Sequence, residues 1–414
     1  MLLRGNKLNG CNGLNILVLG FYLSEEKRKE IDLMDLNPPR QTFNYHTKIV
    51  KCLSSIASLR FISSYPISDY PIGKKRYFKY QKEVIELSNK VYVNRYIPFV
   101  NTPILKVITR FISALFFLVS EFKCSKPDYL CVYSVHIPYM LAGLIISKIF
   151  KTKTLAVWTD PPALKHPSDG QIKRRLRAFE LIISKKLMAS FDKLIVISKY
   201  LAEDFANGKP YLVVDSIFDS ELDSLCNFTQ EKKRYDRGAP KLFVYSGTIS
   251  KKYGLDIMLD AFSCVSDACL HIYGSGCDTE YLKKKIEKVH NIEYKGLLDI
   301  NEIRKVQSNS DFLLNVRNQS DEFTKYSFPS KITEYLLSRR PVLSSVLPGI
   351  SDEYYQFLIP LEAYDTSLLK ERIMECISSD NETLNSRSQM GYDFIIKRDV
   401  EHWANKIKKL LNND

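Results

Sequence analysis

Lys331 and Glu334 stand three residues apart in the run Ser327-Phe-Pro-Ser-Lys-Ile-Thr-Glu-Tyr-Leu336. Pro329 suits the first turn of a helix, where a missing N–H costs nothing. Ser327 just before it can cap free N–H groups. Ile332, Tyr335 and Leu336 fall at i, i+3 and i+4 and predict a stripe facing a core. Ser330, Lys331 and Glu334 then share the opposite face. A helix N-terminus draws phosphate, because its N–H groups and its dipole both point outward. A lysine adds positive charge there, and a glutamate one turn deeper can accept hydrogen bonds from sugar hydroxyls. That chemistry suits a nucleoside diphosphate with its ribose. The same spacing also describes an ordinary capped amphipathic helix. Pro341 ends the helix, and 342–347 resume as a buried strand.

Other residues with chemical potential follow strand ends. Gly247 and Gly274 each close an apolar run, where backbone must approach a ligand or turn sharply. Gly274-Ser-Gly276 alone is weak evidence. His136 and Asp160 also follow strand ends, where open parallel sheets place their ligands. His136 reads equally as a buried histidine bonded to backbone. Asp160, in Trp158-Thr-Asp-Pro-Pro162, either contacts an acceptor or caps a stiff turn. No Asp-x-Asp triplet points to a metal. The nine cysteines include no Cys-x-x-Cys pair, which favours free thiols in a reducing cytoplasm over a zinc site or a disulfide framework.

Strand and helix patterns alternate around these positions. In the first half a strand is expected at 15–21, then a long charged loop from Ser24 to Arg40, a helix at 41–58 and a strand at 60–64. The stretch 67–90 is basic and tyrosine-rich with little periodicity. At 103–122 Lys106, Arg110 and Ser113 share one side, while Ile108, Ile112, Leu115, Phe116 and Val119 share the other. Such a helix either rests on a bilayer or packs on a sheet. Strands at 129–134, 154–159, 193–198 and 211–215 alternate with helices at 137–149, 171–189 and 199–206. The uncharged segment 129–147 is long enough to span a membrane but reads better as strand then helix. A second alternation runs from 241 to 346, followed by helices near 364–379 and 399–412. Alternation at this spacing implies parallel sheets with helices on both faces.

At 414 residues the chain is two to three times a typical domain. The expected division is 1–217, a charged linker at 218–240, 241–398, and a terminal helix at 399–414 that returns to the first domain. The net charge of +13 is spread over runs such as Lys74-Lys-Arg76, Lys173-Arg-Arg175 and Lys232-Lys-Arg234. Such runs are solvated faces or attraction to an acidic membrane surface. No nucleic-acid-binding signature accompanies them. No signal peptide is evident, since the apolar run at 14–19 is too short.

Four segments, in order and in register, resemble the donor domain of retaining GT-B glycosyltransferases of the family 4 type. The closest likeness is to the bacterial subgroup that builds exopolysaccharide, capsule or O-antigen. They are Tyr245-Ser-Gly-Thr-Ile-Ser-Lys-Lys-Tyr-Gly-Leu255, Ile272-Tyr-Gly-Ser-Gly276, Glu293-Tyr-Lys-Gly-Leu297, and Glu322-Phe-Thr-Lys-Tyr-Ser-Phe-Pro-Ser-Lys331 running on to Glu334. The resemblance implies two Rossmann-like domains facing each other across a cleft. It places Gly247, Thr248, Gly274, Gly276, Glu322, Lys325, Tyr326, Ser327 and Ser330 around a nucleotide-sugar donor. Lys331, Lys251, Lys252 and Arg317 are then the candidate cations for the diphosphate. Glu334 is implied at the ribose and His136 at the donor sugar. Three positions depart from the family's pattern. Thr248 and Tyr253 stand where it carries two cations, and Tyr326 stands where it carries the first of two glutamates, with Glu322 four residues earlier as a substitute.

The expected activity is transfer of a sugar from a nucleotide-diphosphate donor to a lipid-linked saccharide, with retention and without a required metal or cofactor. The expected place is the cytoplasm, with peripheral attachment to the inner face of the plasma membrane. The competing readings are a non-catalytic relative serving as a membrane-surface partner, and a nucleotide-sugar epimerase.

Overall fold

The structure, a computed structural model, describes residues 13–36, 38, 40–162, 170–223 and 239–413, with the side chains of 40–42, 172 and 173 excluded. The chain divides into two compact units. The first runs to Val196 and regains Ala202–Leu212 and the segment from Val400 onward; the second comprises Ile197–Leu201 and Val213–Asp399.

The elements in chain order are β1 (Leu14–Gly20), α1 (Glu25–Met34), α2 (Arg40–Ile56), β2 (Ala57–Ser63), β3 (Tyr77–Phe78), β4 (Gln81–Leu87), β5 (Lys90–Tyr96), β6 (Phe99–Val100), α3 (Pro103–Cys124), β7 (Tyr129–Tyr133), α4 (Ile137–Phe150), β8 (Lys153–Trp158), α5 (Gln171–Met188), β9 (Lys193–Val196), α6 (Lys199–Phe205), β10 (Tyr211–Val213) and α7 (Ser220–Asp223). They continue as β11 (Lys241–Ser246), α8 (Leu255–Phe262), β12 (Ala268–Tyr273), α9 (Thr279–Ile286), β13 (Ile292–Gly296), α10 (Ile300–Asn309), β14 (Phe312–Asn315), α11 (Glu322–Tyr326), α12 (Ser330–Leu337), β15 (Val342–Ser345), β16 (Ile359–Leu361), α13 (Thr366–Ser378), α14 (Asn381–Ile396) and α15 (Val400–Asn412).

In the first unit the sheet order is β10-β9-β8-β7-β1-β2-β5-β4. Pairing is parallel across β8, β7, β1, β2 and β5. The apolar run of β1 and the wholly buried β7 are what a parallel sheet covered on both faces requires. β4 joins as an antiparallel hairpin with β5. Ser88 and Asn89 both have positive φ at its two-residue turn, the twist that suits a hairpin. The terminal α15 belongs to this unit. It packs on α2, and Lys193 Nζ donates to the carbonyls of Leu410 and Leu411, both at 2.9 Å.

The second unit holds a six-stranded sheet in the order β13-β12-β11-β14-β15-β16, parallel throughout. The chain order reverses between β11 and β14. A crevice outside the carboxyl ends of the strands at such a reversal is where open α/β sheets bind ligands.

Three expectations are corrected. The charged stretch after Ser24 is the helix α1, not a loop. Ser24 accepts from Lys27 N and Glu25 and Glu26 fill the first turn, so capping and dipole favour helix despite the charge. The stretch 67–90 carries strands, β3 and β4. A helix, α14, stands where none was expected; Asp380 caps it at Thr383 N. The segment 129–147 has the expected form, a buried strand followed by a helix packed on it. Most of the expected linker lies outside the described residues.

Candidate functional site

The carboxyl ends of β11, β12 and β14 meet the start of α12 in the second unit. β11 ends at Ser246, and Gly247 follows, its N–H donating to Tyr273 O on β12 at 2.8 Å. The turn 247–249 then lies against the turn 274–276, with Ile249 N donating to Ser275 O at 3.0 Å. A Cβ on Gly274, whose φ is +128°, would overlap the carbonyl of Gly247. Backbone does come close here, but it is loop against loop. Gly276 lies similarly against Ile249 O.

Lys331 sits in the first turn of α12 and reaches under this turn. Its ammonium donates to Ser246 O and fills the space a side chain at Gly247 would need. Burial pulls its pKa down to about 8, with Glu334 opposing the shift and Arg317 adding to it. Tyr335, one residue on, supports the same strand end. Its hydroxyl accepts from Ser246 N at 3.1 Å, and Gln307 Nε2 donates to Ser246 Oγ at 3.0 Å. Sequence reasoning placed Tyr335 only in the core; its buried hydroxyl, which must find a partner, was the available signal.

Arg317 follows β14 and is largely buried. Its backbone N–H donates to Ser345 Oγ at 3.0 Å and its guanidinium lies 5.0 Å from the Tyr253 ring centre. Tyr253, which stands where the family carries a cation, therefore holds a cation beside it. Lys252 lies over Phe323 at 3.9 Å. Lys251 turns the other way, over Tyr281 at 3.8 Å and 3.9 Å from Asp256, so it does not join the group. Thr248 is exposed and offers its carbonyl to Tyr245 Oη at 2.9 Å.

At the helix start one expectation is overturned. The residue flanking α12 is Pro329, with no side-chain cap, and Ser327 does not cap it. Ser327 Oγ instead donates to Phe323 O at 2.9 Å, ending the short α11. Ser330 is exposed and Glu334 half-buried. Gly349 packs against the carbonyls of Ser327 and Thr324, with no room for a Cβ, and so fixes the approach to the helix. Tyr326 is buried at 7% exposure, whereas Glu322 is exposed at the start of α11. Lys325 lies 4.8 Å from the Tyr200 ring and 5.5 Å from the Tyr326 ring. The structure thus brings together Gly247, Arg317, Lys331 and Glu334, with Lys252 and Tyr253 beside them.

His136 and Asp160 belong to the first unit. His136 precedes α4, and its ring lies edge-on to Tyr139 at 4.6 Å. Its Nε2 is buried without a hydrogen-bond partner among the described residues, and burial holds its pKa well below the usual value. Asp160 is exposed and accepts from Thr159 Oγ1 at 2.8 Å, a turn contact. Among the described residues no cluster of ligating side chains suits a metal ion.

Residues 240–379 match the family described as Glycosyl transferases group 1. No curated protein matches the chain significantly. Among solved structures, Anabaena HepE in complex with UDP superposes with a TM-score of 0.62 at 14% identity, over 96% of this chain and 99% of that one. Sucrose-phosphate synthase from Thermosynechococcus elongatus gives 0.63 at 12% identity, over 96% and 98%. The E. coli trehalose-6-phosphate protein bound with UDP-2-fluoro glucose gives 0.61 at 10% identity, over 97% and 99%. At such identities the likeness establishes the fold, which is GT-B with two Rossmann-like domains. On that frame the chain carries a group 1 glycosyltransferase domain over 240–379, and its enzyme class is glycosyltransferase.

Proposed function

We propose that the protein moves a sugar from a nucleoside-diphosphate donor, with UDP as the nucleotide, to a lipid-linked saccharide at the cytoplasmic membrane surface. Anomeric configuration is retained, and the product feeds a bacterial surface polysaccharide of the exopolysaccharide, capsule or O-antigen kind. The observation that carries the reading is Lys331 beneath Gly247, at the start of α12 and beside Arg317. The UDP bound in HepE supports the choice of nucleotide.

As the sugar leaves, negative charge grows on the diphosphate. Fixed cations and helix N–H groups can stabilise it without reorganising and without a metal. Lys331 and Arg317 would take the phosphates, with Lys252 at the rim and Lys251 replaced in that role by Arg317. Lys325, Ser327 and Ser330 would line the approach. Glu334 would accept from the ribose hydroxyls. His136, neutral because it is buried, would contact the sugar by hydrogen bonding. No residue is assigned as a base toward the acceptor.

The test is incubation with UDP-sugars and a polyprenyl-diphosphate saccharide. Release of free UDP that depends on the acceptor, with an α-linked product from an α-linked donor by NMR, supports the reading. Epimerised donor, or UDP release indifferent to the acceptor, contradicts it.

A further inference from the structure

α3 presents its apolar side outward. Ile104, Ile108, Ile112 and Phe116 recur every fourth residue and form one stripe, exposed by 75%, 46%, 58% and 69%. The polar side turns inward. Lys106 pairs with Asp69 at 2.7 Å, Arg110 donates to Tyr65 O, and Ser113 Oγ donates to Pro98 O at 2.7 Å. The sequence shows two faces, and the structure inverts the usual assignment between them. At 1.5 Å per residue the stripe runs about 18 Å. A water-soluble fold gains nothing from this arrangement, because a contiguous exposed apolar surface marks a contact to be made.

The surface continues beyond α3. α4 packs along α3, and α5 along α4. On α5 Leu176, Phe179 and Ile182 are exposed by 55% or more. Arg175 and Lys186 fall on the same helix face as Phe179 and Ile182, at i, i+4, i+7 and i+11, with Lys185 beside them, and Glu180 is the single acid of the helix. Tyr80, beside Lys79, stacks on Phe117 of α3 at 5.2 Å.

We propose that α3, α4 and α5 form a membrane-docking face for an anionic bilayer. The α3 stripe lies in the plane of the interface among the upper acyl chains, and the α5 cations meet lipid phosphates. This deepens the membrane-surface reading above by naming the surface. Among the described residues α3 is the one helix long and apolar enough to cross a bilayer. Its inward ties at Lys106 and Arg110, and the pairing of Glu121 with Arg60 and Arg95 at 2.9 Å each, hold it against the first unit, so it lies flat. Charge complementarity favours an anionic surface over a second copy, whose matching face would carry the same α5 cations. An apolar face rimmed by Lys and Arg is the pattern of an interfacial helix.

The experiment is flotation of the full-length protein with phosphatidylcholine vesicles, with and without phosphatidylglycerol. Wild type should float with the anionic vesicles and be released in part by salt. Ile108→Ser/Ile112→Ser/Phe116→Ser should lower partitioning by at least about tenfold, and Arg175→Glu/Lys186→Glu should remove the dependence on phosphatidylglycerol. Both variants should keep the wild-type thermal midpoint and bind UDP as wild type does, which separates this test from that of the donor site. Absence of wild-type flotation, or unchanged flotation of the triple variant, overturns the proposal. So does a dimer in light scattering that the triple variant dissolves.

Discussion

Lys331 places its ammonium on the carbonyl of Ser246, the residue before the glycine whose missing side chain gives it room. One contact thus links the start of α12 to the end of β11. The cation is held in the crevice before any ligand arrives, and it is shielded from water on the protein side.

Gly247→Ala tests that relationship. The new Cβ would meet the far end of a flexible side chain, so the lysine yields while the backbone stays. Nucleotide affinity should fall about tenfold or more while the urea midpoint changes little. Gly274→Ala differs, because its Cβ would strike the carbonyl of Gly247 at a φ of +128°. It should cost about 2 kcal/mol of stability or more. Equal effects of the two substitutions on stability would count against this assignment.

The pH dependence of donor binding follows from Lys331. Its folded pKa of about 8 lies below the ordinary 10.5. The cost of burying the ammonium is therefore fully present below about pH 8 and fades toward 10.5, so stability rises across that window. Nucleotide binding runs the opposite way, since the phosphates need the charged form. Affinity for UDP should decline above about pH 8 in wild type, and this decline should vanish in Lys331→Met. A flat profile from pH 7 to 9.5 in wild type would refute the role.

Glu334→Gln keeps the shape and removes the charge beside Lys331. Turnover with a UDP-sugar should drop by about tenfold or more if the carboxylate holds the ribose, as loss of a charged hydrogen bond implies. A fully active variant would end that assignment.

The buried pair Asp215–Arg398, 2.7 Å apart with side chains 3% and 9% exposed, also receives the Tyr354 hydroxyl at 2.9 Å. Arg398→Ala leaves a buried carboxylate without its partner and should cost about 3–5 kcal/mol in urea unfolding. Asp215→Asn/Arg398→Met should recover part of that loss. A single-variant cost under about 1 kcal/mol would show the pair to be solvated.

Acid should weaken the fold through His46. The ring is buried, stacks on Tyr133 at 3.4 Å, and its pKa is held down to about 3 by burial and then by Arg28. The unfolded chain takes up a proton near pH 6.5 and the folded one does not. Stability is therefore complete above about pH 6.5 and is lost as pH falls toward 3, by about 2 kcal/mol at pH 5. In His46→Gln the difference in urea midpoint between pH 7 and pH 5 should shrink; an unchanged difference would show that the ring titrates normally.

Much of this was legible in the residues. Near-continuous apolar runs gave β1, β7 and β11, because strands buried on both faces leave no alternation to misread. α1 was hidden by its charge, although Ser24 and the acids after it carried a capping signal. α14 was hidden by its Asn and Ser content, which weakens periodicity. The spacing of Lys331 and Glu334 announced a shared face, but not that the lysine would be drawn under Gly247, since that depends on a strand end some eighty residues earlier in the chain. For the same reason Ser327 read as a cap and instead closes α11. In α3 the spacing revealed two faces and was silent on which one the protein keeps, a matter decided by Asp69 and Tyr65.

The most direct measurement is calorimetric titration of UDP into wild type and Lys331→Ala under matched salt at pH 7. The account predicts binding by wild type and a loss of about 2 kcal/mol or more in the variant, with its thermal midpoint equal to or above that of wild type. Equal affinity in the two proteins would contradict it.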